Sequence, residues 1–168
     1  MLRTLTSVWM CVAVLFLGAC KDKPKPEVIE KKQAAPLAQL PMAANIAEQL
    51  QAEAAARPKD ALRTEAVIEA LAKAQIALTD NKQFIARTVL ANYCFGGTTA
   101  QATAVTVCEY PSVEAAKEGL EHSQKQFVGI PNRTLTQNKQ TVLTLVRGLD
   151  SAQTQAEADK AIEVFNKL

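Results

Sequence analysis

Residues 84–110 read FIARTVLANYCFGGTTAQATAVTVCEY, and this stretch decides the fold class. From Phe84 to Phe95, and again from Ala102 to Tyr110, β-branched and aromatic residues dominate. The cluster Gly96-Gly97-Thr98-Thr99 stands between the two runs. Two such runs around a glycine-rich break predict a β-hairpin. Val105 and Val107 alternate with Thr106 and Cys108, the two-residue period of a strand with one buried face. If paired residues have numbers that sum to 202, Cys94 faces Cys108, and the same register sets Phe95 against Val107 on the other face. Directly opposed residues lie about 4.5 to 5.5 Å apart at Cα, within the range a disulfide spans. The register therefore predicts a Cys94–Cys108 bond. The alternative, a redox dithiol, ordinarily uses Cys-x-x-Cys at a helix N-terminus, and neither feature is present.

Working outward, the flanking segments read as helices and a second hairpin. Ala43 to Ala56 is rich in Ala, Glu and Gln and stops before Pro58, a weakly amphipathic helix with Ile46 and Leu50 four apart. Asp60 can cap a second helix along which Leu62, Val67, Leu71, Ala74 and Leu78 fall near helical spacing, and Thr79-Asp80-Asn81 then breaks the pattern. Ser112 caps a third helix with Glu114 in its first turn, where the helix dipole favours an acid. Arg133 to Gln137 and Thr141 to Arg147 form a hairpin around Asn138-Lys139. Thr154-Gln155-Ala156-Glu157 has the spacing of a capping box ahead of a last helix, whose apolar face is Ala158, Ala161, Ile162, Phe165 and Leu168. The order is helix, helix, hairpin, helix, hairpin, helix. It predicts an α+β two-layer sandwich, with a four-stranded antiparallel sheet of two hairpins and helices on one face.

The chain has 168 residues, 19 basic and 17 acidic, with a formal net charge of +2. That length allows one domain and hardly two. An apolar fraction of 48% is too high for a disordered chain. A charge so near zero gives no reason to expect nucleic-acid binding. Beyond residue 33 the balance is 13 basic against 14 acidic residues, and no charge run marks a ligand face.

The first residues read as an address. Met1 to Cys20 is MLRTLTSVWMCVAVLFLGAC, with Arg3 ahead of an apolar run from Val8 to Leu17. Such a run fits a signal peptide and falls short of the roughly 20 apolar residues of a membrane span. Leu17-Gly18-Ala19-Cys20 resembles the lipobox of bacterial lipoproteins, a Leu, two small residues and the Cys. The resemblance covers residues 1–20. It implies a signal peptide at 1–19, removed by cleavage, and a lipid-modified Cys20 that holds the protein to a membrane. It also implies a bacterial cell-envelope location, and Lys21 rather than an Asp after the Cys favours the outer membrane. The mature domain resembles no family by its residues.

Residues 20–41 read as an acylated Cys and a tether. Lys21 to Pro41 holds four of the seven prolines and no glycine. It could reach roughly 70 Å at about 3.3 Å per residue. Its five lysines face only Asp22, Glu27 and Glu30. They suit either attraction to anionic headgroups or a solvated linker. Residues 42–168 then form a single globular α+β domain.

The chemistry on offer is sparse. His122 is the only His, and one His without a second ligand predicts no metal site. Gly96-Gly97 lacks the spacing of a phosphate loop, and nothing points to a cofactor. Glu109, at a strand end on the core side, is the one carboxylate placed oddly enough for an acid or base. On the sheet face away from the helices, Asn92, Thr106 and Tyr110 surround the disulfide. Tyr is enriched at interfaces, so these three are the candidate contacts for a partner. Three readings follow. The first is a non-catalytic lipoprotein that binds or scaffolds another envelope component, such as an envelope protein. The second is an anchored enzyme built on Glu109, and the third is a thiol-redox protein using Cys94 and Cys108.

Overall fold

The computed structural model of the protein describes residues 45–168. The expected signal peptide 1–19, Cys20 and the 20–41 tether lie outside the described residues. The elements run α1 (Ile46–Ala55), α2 (Thr64–Lys73), β1 (Leu78–Phe84), a short 3-10 helix (Ala86–Val89), β2 (Tyr93–Thr99), β3 (Thr103–Glu109), α3 (Val113–Gln126), β4 (Arg133–Asn138), β5 (Thr141–Arg147) and α4 (Ala152–Asn166). None of the described helices is long and apolar enough to cross a membrane.

The fold is α+β around one open antiparallel sheet, in the order β1-β2-β3-β5-β4. It has five strands, not the expected four. The additional strand is β1, LTDNKQF, whose middle is exposed. An edge strand wet on both faces needs no apolar alternation, which is why Thr79-Asp80-Asn81 reads as a break. The pairing shifts between Thr79 and Lys82, with Asp80 at a φ of 53°. Three other boundaries are corrected. Phe84 to Phe95 is not one strand, because the 3-10 helix interrupts it. Gly96 and Gly97 lie inside β2 rather than in the turn; a Cβ on Gly97 would stand 2.4 Å from Thr79 O and from Asn81 Oδ1. The cap of α4 is Ser151, in a reciprocal capping box with Thr154, rather than Thr154 with Glu157.

Helices pack on both faces of the sheet, so the expectation of helices on one face is also corrected. On the first face Val105, Val107, Leu143 and Leu145 meet Val67 and Leu71 of α2 and Ala158, Ala161 and Phe165 of α4. On the second, Cys94, Cys108, Tyr110 and Val142 meet Ala116 of α3 and Ala86 of the 3-10 helix. The two clusters follow strand alternation: odd residues of β3 point one way and even residues the other. The absence of long apolar runs hides this arrangement in the sequence, since the buried residues of the second cluster are mostly Ala and Cys, with one Tyr and one Val.

Helix α1 docks through polar groups. Its buried residues are Gln49 and Glu53. Glu53 is 1% exposed and accepts from the backbone N–H of Ala86 at 2.9 Å and of Arg87 at 3.2 Å, and from Gln49 Nε2 at 2.7 Å. A carboxylate thus caps the start of the 3-10 helix, where unpaired N–H groups collect.

Candidate functional site

Two clusters hold most of the described residues the sequence singles out. The first is centred on Glu109, at the end of β3, with its side chain wholly buried. Arg57 meets it through Nη2–Oε1 at 2.5 Å and Nε–Oε2 at 3.0 Å, a bidentate fork of the kind guanidinium geometry favours. Arg63 adds an ion pair at 3.3 Å, and the backbone N–H of Thr64 donates to Oε1 at 2.8 Å. Helix α2 has no capping side chain of its own; Glu109 supplies that cap from across the fold. Arg57 also forks onto Glu65 at 2.6 and 2.7 Å and stacks over the Tyr93 ring at 4.0 Å. Hydrogen bonding to Arg57 holds the Glu65 carboxyl down to about 2, and Glu65 and Glu109 together raise Arg57. Every strong acceptor of Glu109 is therefore engaged by a fixed cation or a helix amide.

The second cluster lies on the other face of the sheet. Cys94 and Cys108 are bonded, with Cα atoms 4.1 Å apart, and the register is the expected one, Cys94 against Cys108 and Phe95 against Val107. The bond is buried, Cys94 at 1% and Cys108 at 5% exposure. With Thr106, Val142 and Thr144 it forms the floor of a groove of about 290 Å³. Phe127 and Ile130, beyond the last turns of α3, make one wall. Phe84, Ile85 and Val89 make the other, and Ser123 and Arg133 also line it. The volume sits at the lower edge of the roughly 300–1,000 Å³ typical of small-molecule sites.

Tyr110 is 1% exposed and lines this groove rather than standing on an open face. Its hydroxyl donates to the Val89 carbonyl at 3.1 Å, and burial pushes its pKa up. Asn92 is half-buried and donates through Nδ2 to the Ala56 carbonyl at 3.0 Å, outside the groove. Thr106 lies on the groove floor. The structure thus brings Thr106, Tyr110 and the disulfide together and leaves Asn92 apart, tying α1 to the sheet. His122 is half-buried on α3, and among the described residues no cluster of His, Cys, Asp or Glu could hold a metal ion.

The chain matches no protein family, no curated protein and no solved structure. Sequence reasoning missed Arg57, Glu53 and Arg133. Arg57 could have been suspected from its place just before Pro58, where α1 has ended and a long side chain is free to reach sideways. Nothing marks Arg133 in the sequence; its place beside Ser123 depends on how α3 crosses β4.

Proposed function

We propose that this chain is a lipid-anchored lipoprotein of the bacterial cell envelope, held through Cys20 at the outer membrane, and that its α+β domain is a non-catalytic binding module. The groove over the Cys94–Cys108 bond carries this reading: an apolar, partly open depression with a stiffened floor. Ligand sites are concave and mostly apolar, with a few placed polar groups, and Thr106, Thr144, Ser123 and Arg133 are such groups here. A cross-strand disulfide holds the floor in shape in an oxidising compartment, where such bonds persist. The Leu17-Gly18-Ala19-Cys20 sequence supports the anchor, and the proline-rich tether would give the domain reach.

The enzyme reading fits less well, because Glu109 faces α2, on the opposite side of the sheet from the groove, with both oxygens engaged. The redox reading needs accessible sulfur, and both cysteines are buried.

The test uses the full chain in isolated membranes. A photoactivatable decanol should label peptides that contain groove residues, and Thr106→Phe, which puts a ring into the floor, should abolish that labelling. Equal labelling of the two proteins would overturn the groove as a binding site. Formation of the Cys94–Cys108 bond in the variant controls for folding.

A further inference from the structure

The groove holds a single cation. Arg133, the first residue of β4, lines it and is partly buried. Its Nη1 donates to the Ser123 carbonyl at 3.1 Å and its Nη2 to Ser123 Oγ at 2.5 Å, while its guanidinium lies 5.3 Å from the centre of the Phe127 ring. Ion pairs among the described residues engage Arg57, Arg63, Lys73, Arg147 and Lys167, and Arg133 takes part in none of them. Burial works against its charge. A guanidinium carries five N–H donors, and two go to Ser123. A cation drawn partly out of water with no counter-ion is costly, and an anion brought beside it relieves that cost.

We infer that the groove takes a single-chain amphiphile, with its tail along Val89, Cys108, Phe127 and Val142 and its carboxylate or phosphate held by the Arg133 fork. The inference rests on the groove being the binding site proposed above and adds the class of ligand. The largely apolar lining suits an acyl chain. The planar fork of Arg matches the oxygens of either headgroup, where Lys would act as a point charge. Ile130, just beyond α3, is partly exposed on the groove wall and gives a chain an apolar surface to enter over. A neutral lipid would leave Arg133 as unpaired as it is without one.

The experiment compares photoactivatable decanoate, decyl phosphate and decanol, each on the full chain in isolated membranes, with labelled peptides mapped. At least one anionic probe should label groove peptides about tenfold more than decanol, the scale set by a charge-assisted hydrogen bond. The stronger of the two identifies the headgroup. Arg133→Gln should remove that preference, and Arg133→Lys should restore part of it. If Arg133→Gln fails to form its disulfide, the comparison of probes on the unaltered chain still decides. Equal labelling by all three probes, lost in Thr106→Phe, overturns the anion inference and leaves the groove standing. A preference that survives Arg133→Gln likewise overturns it. Labelling by every probe that is indifferent to Thr106→Phe overturns the groove and the inference together.

Discussion

The ring of Tyr110 lies so close to Gly119 that a Cβ on that glycine would stand 2.2 Å from Cε1 and 2.7 Å from the hydroxyl oxygen. Tyr110 cannot give way easily, since it is buried and its hydroxyl is bonded to Val89. Gly119 is thus a point where α3 comes up against the buried Tyr110 ring.

Gly119→Ala should therefore destabilise the domain, although Ala is the better helix former by about 1 kcal/mol. Overpacking costs about 1–3 kcal/mol, and here it meets a fixed ring, so a net loss of about 1 kcal/mol is expected. Thermal unfolding measures it. In a Tyr110→Ala background the same substitution should become neutral or favourable. An unchanged penalty there would show that Tyr110 is not what the new methyl meets.

The disulfide offers a separate measure of how firmly the groove floor is held. Cys94 and Cys108 are 14 residues apart, and closing a loop of that size stabilises by about 3 kcal/mol in the chain-entropy account. Cys94→Ser should lower the urea midpoint by a corresponding amount, and reductant should move the unaltered protein most of the way to it. A midpoint insensitive to both would mean that the sheet holds this register unaided.

How much of this was legible depended on whether the signal was local. The β2–β3 register was, because Cys94, Phe95, Val107 and Cys108 constrain it from both faces at once. The caps at Ser112 and the β4–β5 hairpin were also legible, being set by neighbouring residues. Strand β1 was not, since an edge strand with a bulge can be polar throughout. The second layer of helices was not legible either: Val113, Ala116, Leu120 and Phe127 give α3 an apolar stripe, but nothing in the stripe says which face of the sheet it covers, and the close approach at Gly119 is marked only by a small residue. Glu109 was noticed as misplaced, yet its role is set by Arg57, 52 residues away, and no spacing rule reaches that far.

That long-range cluster makes a pH prediction. Arg57 holds the folded-state pKa of Glu65 at about 2, below its ordinary value of 4.5. A depressed carboxyl contributes stability that is present above the unfolded value and is lost as pH falls through the folded one. Stability should therefore decline between about pH 4.5 and pH 2, and Glu65→Gln should flatten part of that slope. The effect is small at neutral pH, because Glu65 is largely exposed and solvent screens it. Glu109→Gln should cost far more, about 3 kcal/mol, as it leaves Arg57 facing a buried neutral amide. Similar losses for the two variants would contradict the assignment of Glu109 as the buried centre.

The proposed anchor yields the last prediction. The thiol of Cys20 is the only group in Leu17-Gly18-Ala19-Cys20 that can form a thioether to a diacylglyceryl group. Cys20→Ser should thus block acylation and leave residues 1–19 attached, since in lipoproteins the cut follows lipid transfer. Stable membrane attachment takes more than one acyl chain, so the variant would depend on its uncleaved apolar run, Val8 to Leu17, which is too short to span a bilayer. In cells fed an alkyne fatty acid, the unaltered chain should carry label and run at the mature size. The variant should carry none and run larger by 19 residues, the length of the retained leader. Equal label on both proteins would remove the anchor from the proposal, leaving a groove-bearing domain with no fixed place at the membrane.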